Sequence, residues 1–142
     1  MKKIKMSYNI VAKYIKDINF KVPNAKSYFM IEKNIKNYKI NFDIKSRKIK
    51  DDILEIDTDL KLISQVSDEN EIKVSVLFST LVNFKKIITD KKELEKIILV
   101  DVPTTIYPDI RNILVFLFEK SGFKQISIDR SVDFKSLYEK NN

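Results

Sequence analysis

Apolar and polar residues alternate over long stretches in the first half of this chain. Between Met6 and Val22 the even positions read Met6, Tyr8, Ile10, Ala12, Tyr14, then Ile18, Phe20 and Val22, and the odd ones are mostly polar: Ser7, Asn9, Lys13, Asp17, Asn19 and Lys21. This period of two predicts a long strand with one buried face, in which Lys16 breaks the apolar set and marks a bulge or bend. Pro23 ends it, since proline cannot donate to a sheet ladder. The alternation returns at residues 38–44, with Tyr38, Ile40, Phe42 and Ile44 on one face, at 54–62, and at 72–82, where Leu77 and Leu81 add apolar side chains to the second face. Four strands joined by short polar turns such as SRKIKDD and SDEN predict an antiparallel meander with one face covered.

The period changes after Thr89. DKKELEKIILV sets Leu94, Ile97 and Ile98 at i, i+3 and i+4, with Asp90 as N-cap and Glu93 completing a capping box, so a short helix is predicted. Two prolines interrupt it over residues 102–108, and Pro108 then opens a second helix whose stripe is Ile110, Ile113, Leu114, Leu117 and Phe118. Gly122, the single glycine, is placed to cap it in the left-handed conformation. A short extended piece at 125–128 and one or two helical turns in VDFKSLYEKN complete the chain. The order predicts an α+β fold: a four-stranded antiparallel sheet followed by two main helices packed on one side, in a single domain spanning 1–142. Two modest helices cover the sheet incompletely, which predicts self-association, with Leu94, Ile97 and Ile98 as candidate oligomer-interface residues.

Composition narrows the chemistry more than it suggests a partner. With neither cysteine nor histidine, the chain has no thiol nucleophile, no imidazole base and no Cys/His zinc site. The net charge of +7 raises the question of an anionic partner. All but Arg47, Arg111 and Arg130 of the basic residues are lysines, however, scattered among isoleucine and asparagine, whereas arginine is the better bidentate reader of phosphate and bases. No nucleic-acid partner is expected, and a basic nucleic-acid-binding protein stays open only as an alternative reading. No segment reaches the roughly 20 apolar residues of a membrane span, and the basic start MKKIKMSYNIV runs into no apolar core, so a cytoplasmic protein without direct membrane insertion is expected.

Catalytic arrangements are equally scarce. Asp51 and Asp52 suit a solvated turn, and Asp57 and Asp59 share a strand face without the converging oxygens a cation needs. One glycine cannot build a phosphate loop. Neither an enzyme, a cofactor nor a metal is expected. The informative feature is apolar content where a connection should run: Tyr28, Phe29, Met30 and Ile31 are contiguous just beyond Pro23. Such side chains either cover the core or wall a greasy groove, which Phe84, Ile106, Tyr107, Phe116 and Phe123 would extend.

Three motifs resemble one family. YIKDINFKVPNA resembles the N-terminal strand signature of the bacterial export chaperone SecB, matching it at Tyr14, Lys16, Asp17, Ile18, Phe20, Pro23, Asn24 and Ala25. VPTTIYPDIR resembles the segment leading into that family's long helix, through Pro103, Tyr107, Pro108 and Arg111, with Val102 in place of a cysteine. SVDFKSLYEK is similar to its terminal motif at Val132, Asp133, Phe134, Leu137 and Tyr138. The resemblance implies a dimer of dimers that holds unfolded secretory precursors without ATP and passes them to the SecA translocase motor. It implies a client groove at Tyr28, Phe29, Met30, Ile31, Ile40, Phe42, Ile106, Tyr107 and Phe123, and motor docking at Asp17. Three departures accompany it: Lys21 stands where the family has glutamate, Lys73 and Ser75 leave the fourth strand without an acid, and Ser79-Thr80 replaces a glycine-containing pair. The alternative they leave is a SecB-like chaperone dedicated to another client, such as an antitoxin.

Overall fold

The computed structural model describes residues 8–65, 69–86, 88–123 and 126–140. Four strands, β1 (Tyr8–Lys21), β2 (Tyr38–Lys50), β3 (Ile53–Ser64) and β4 (Lys73–Phe84), form one antiparallel sheet in the order β1-β4-β3-β2. The meander therefore holds for β2, β3 and β4 only, and β1 returns to the far side beside β4. Met6, expected in β1, lies outside the described residues. β2 also runs further than expected. Residues 45–48 and Lys50 pair with β3, the register shifting at Ile49, with Arg47 opposite Glu55, and the turn shrinks to Asp51 and Asp52.

β1 is the strand in which simple alternation misleads. Its pairing with β4 shifts at Val11 and again at Lys16, each extra residue inverting the phase that follows. Lys13 consequently faces the helices, where its Nζ lies 3.0 Å from Asp109, while Tyr14, expected on the buried face, turns to the open side. The shifts lie in β1, opposite a regular β4, so Ser79-Thr80 carries no bulge.

The segment after Pro23 is a helix rather than a plain connection. Asn24 is extended and its Oδ1 accepts from Ser27 N at 2.9 Å, starting the ten-residue α1 (Ala25–Asn34), which a 3₁₀ turn (Ile35–Asn37) hands to β2. Pro23 thus stops the strand and Asn24 starts the helix. Contiguous apolar residues on a helix radiate in different directions: Ile31 is buried, while Phe29 is 75% exposed.

The second correction concerns the prolines. α2 (Lys91–Lys96), a π turn (Ile97–Asp101) and α3 (Val102–Lys120) form one uninterrupted helical run, with Pro103 in its first turn and Pro108 inside it. A proline ring clashes with the carbonyl four residues back, and the widened turn before Pro103 relieves that clash. Two hydroxyls bond back onto the carbonyls of this turn, Thr104 Oγ1 donating to Val100 O at 2.6 Å and Thr105 Oγ1 to Asp101 O at 3.0 Å. The apolar stripe of α3, Ile106, Ile110, Leu114 and Phe118, is almost wholly buried against the core shared with the sheet.

α3 ends as the sequence predicts. Gly122 sits at φ +93°, Phe123 N donates to Phe118 O at 3.0 Å, and the rings of Phe118 and Phe123 pack at 5.7 Å, which is the Schellman closure with its apolar contact. A Cβ on Gly122 would meet Tyr28 only at ordinary contact distance, so the cost of adding one is conformational. Gly122→Ala is expected to lose about 1–2 kcal/mol, read as a drop in urea midpoint at unchanged slope.

Candidate binding groove

The helix-facing side of β2 presents Tyr38, Ile40, Phe42 and Ile44 by alternation, and β2 is an edge strand, so this strip is not fully roofed. α4 (Phe134–Lys140) lies over it. Asp133 caps α4, accepting from Ser136 N at 3.0 Å and Ser136 Oγ at 2.8 Å, which holds its carboxyl below the usual range. Phe134 anchors the helix, its ring 4.9 Å from Phe42 and 6.2 Å from Tyr107, and Tyr138 Oη donates to Glu95 at 2.9 Å. Leu137 stays 40% exposed.

Two openings flank this helix. One, of about 830 Å³, lies between β2, the 3₁₀ turn and the segment leading into α4, and is lined by Ile35, Leu62, Phe118, Ile126, Val132 and Leu137 over a floor of Ile40 and Phe42. The other, of about 430 Å³, continues along β2 past Ile44 and shares Ile40, Phe42 and Leu137 with the first. Together they form an apolar groove with a polar rim that includes Lys36, Asp129 and Asp133.

α3 holds the outer wall. Tyr107 Oη donates to Asp129 O at 2.6 Å and Arg111 Nε to Ile128 O at 3.1 Å, so two side chains one turn apart grip consecutive peptide units. Burial pushes the Tyr107 phenol up, with Asp129 adding to the effect, and it remains a donor.

The residues expected at a groove divide into three groups. Ile40 and Phe42 form its floor. Ile31, Ile106, Tyr107 and Phe123 are buried in the core, Tyr107 serving the groove from beneath through its hydroxyl. Tyr28, Phe29 and Met30 sit on α1, outside the groove lining: Tyr28 donates to Gly122 O at 2.9 Å and stacks on Phe123 at 5.0 Å, and Met30 borders a small pocket of about 180 Å³ with Ser27 and Asn34. Of the expected interface residues, Ile97 and Ile98 are already buried within the single chain, and Leu94 is half-buried. The groove residues missed from sequence come from the 3₁₀ turn (Ile35), β3 (Leu62), α3 (Phe118), the segment 126–133 and α4, and for the last of these the VDFKSLYEK motif was the signal.

Among the described residues, no helix lies on the opposite face of the sheet. Glu55 sits there with a side chain only 7% exposed, accepting from Tyr14 Oη, from Lys16 Nζ at 3.1 Å and from Arg47 Nη2 at 3.0 Å. Lys16 also reaches Asp57 at 3.0 Å, and Asp57 accepts from Ser79 Oγ. Asp57 is thus engaged with Lys16 and Ser79, and no group of three or more acids converges as a metal site would require among the described residues. Asp17 lies exposed on this face, opposite Leu77.

An open apolar groove thus runs beside the edge strand β2, half-roofed by a short tethered helix. The chain matches the family described as "Preprotein translocase subunit SecB" over residues 2–142. It is 35% identical over 132 residues to a putative protein-export protein SecB of Pelagibacter ubique, covering 93% of this chain and 94% of that one. It is 27% identical over 132 residues to the protein-export protein SecB of Rhodospirillum rubrum, covering 91% and 78%. Among solved structures its fold is similar to that of a Mycobacterium tuberculosis SecB-like chaperone in complex with a ChAD peptide from the HigA1 antitoxin, with TM-score 0.68, 13% identity and 89% and 88% coverage. The chain belongs to the SecB family, a family of non-catalytic chaperones. Membership carries with it a cytoplasmic location, and no described helix is long and apolar enough to cross a membrane.

Proposed function

We propose that this chain is an ATP-independent holdase that seats a short apolar segment of an unfolded polypeptide in the groove beneath α4. One observation carries the reading: Ile40, Phe42 and Leu137 line both openings, so one continuous apolar track passes the helix. Burial of apolar surface drives such binding, and several weak contacts along a wrapped client add as multivalent attachment. Assembly as a dimer of dimers is part of the proposal. Phe116, 57% exposed on α3, and Ile15 and Ile18 on the β1 edge, 46% and 38% exposed, are among the exposed apolar side chains that a second copy could cover.

A dedicated client, of the antitoxin kind, fits this chain better than export precursors handed to SecA. The solved neighbour with the same fold holds an antitoxin peptide, and the sheet face on which Asp17 would dock the motor is populated by Lys21 and Lys73. The export reading keeps the support of the relatives' names.

Light scattering on the full chain, alone and with either a denatured export precursor or a short apolar antitoxin segment, tests both levels. A tetramer that takes up the segment tightly and the precursor weakly is expected. Leu137→Ser should weaken uptake about tenfold, the worth of burying most of one leucine. Unchanged affinity would exclude the groove, and equal uptake of both clients would restore the export reading.

A further inference from the structure

The helix-free face of the sheet carries a surface that the groove does not use. Where β1 ends and β4 begins, Lys21 and Lys73 stand directly opposite one another. Lys39 faces Ile63 across β2 and β3, and Lys61 lies between Asn41 and Ser75. Their chain neighbours Phe20, Val74, Leu60 and Ile40 pack toward the helices, so the lysines take the other side. Like charges opposed across a ladder destabilise a sheet. Among the described residues Lys21, Lys39 and Lys73 have no ion pair, and Lys61 reaches Asp59 only at 3.7 Å. Asp43 in the next row is engaged by Lys45 at 3.8 Å. A shallow hollow of about 350 Å³ is lined by Asn19, Lys61, Ile63, Lys73 and Ser75 together with one acid, Glu71, and Ile63 stands 48% exposed within it.

We propose that this end of the open face docks an acidic polypeptide segment that also carries an apolar side chain for Ile63. Charge complementarity selects the acid, since an anionic strip relieves the opposed Lys21 and Lys73 and gains the Coulomb attraction of Lys39 and Lys61. A polypeptide fits better than a nucleic acid: the patch holds no arginine and no aromatic ring for base stacking, while Asn19, Asn41 and Ser75 offer groups suited to peptide amides. The surface lies on the opposite side of the sheet from the groove and stands whether or not the groove reading does.

Fluorescence anisotropy of a labelled Glu/Asp-rich peptide bearing one leucine, added to the full chain, tests the proposal. Binding that weakens about tenfold in Lys21→Thr/Lys73→Thr and falls steeply with salt is expected, with no change in Leu137→Ser. Threonine keeps strand propensity at two exposed positions, and an unchanged far-ultraviolet spectrum verifies the fold. Full affinity in the double variant, equal binding of a Lys/Arg-rich peptide of the same length, or equal or tighter binding of single-stranded DNA of the same charge would each overturn it.

Discussion

Phe134→Ala is expected to cost about 3–5 kcal/mol, the range for deleting a buried aromatic side chain, and to abolish client uptake at the groove. Phe134 is 2% exposed, and its ring fills the space between Phe42 at 4.9 Å and Tyr107 at 6.2 Å. α4 has only seven residues and is too short to persist without tertiary packing. Two further ties, the Asp133 cap and the hydrogen bond from Tyr138 to Glu95, are exposed or half-exposed and do not replace the lost core contact. Release of α4 would withdraw Leu137 from both openings and leave the groove as an unwalled strip on β2. Urea unfolding reads the stability loss, and titration with a fluorescent apolar peptide reads the groove. Phe134→Leu separates the two roles: it should recover more than half of the stability and a measurable part of the binding. An alanine variant that binds normally would mean that α4 contributes nothing to the site.

Local patterning was legible where one residue decides the outcome and silent where distant segments meet. Period-two alternation located all four strands, and Gly122 and the Asp90 cap announced helix ends, because each signal lies within a few residues. β1 defeated the pattern because two bulges restore apparent regularity. Val11 and Lys16 each absorb one step, so Ala12 and Tyr14 look inward in sequence yet share the open face with Glu55. Lys16 was visible as a polar interruption, whereas Val11 offered nothing to mark it. The helix at Asn24 was hidden by its own apolar density, since Tyr28 to Ile31 read as one greasy run and only the helix periodicity separates buried Ile31 from exposed Phe29. Local rules make the prolines look like breaks; the π turn upstream is a tertiary accommodation without a sequence mark. For the groove, the floor was legible in β2, but the wall at residues 126–133 depends on hydrogen bonds from Tyr107 and Arg111, whose carbonyl partners have no residue identity to read.

Glu55→Ala is expected to destabilise the fold by about 2–3 kcal/mol, because one buried carboxylate on β3 gathers donors from two other strands. Tyr14 and Lys16 approach from β1, Arg47 from β2, and Glu55 itself belongs to β3, so the cluster crosses β4 and pins the bulge at Lys16. The donors remain within reach of water, with Lys16 34% and Arg47 69% exposed, which holds the loss below that for a fully buried ion pair. The hydrogen bond from Tyr14 is the main cause that keeps the Glu55 carboxyl below its usual range, with Lys16 and Arg47 adding to it against the opposing effect of burial. A carboxyl held low in the folded state contributes stability above its unfolded value, near 4.5, and loses it as pH falls through the folded value. Unfolding midpoints of wild type should therefore decline below about pH 4.5 more steeply than those of Glu55→Gln. Asp133, also held low, titrates in both proteins, so the difference between the two curves isolates Glu55. The curves should converge at low pH, where protonated Glu55 and glutamine offer the same neutral shape to Tyr14. Parallel curves would mean that Lys16 and Asp57 alone lock the bulge, and Lys16→Met would then carry the larger loss.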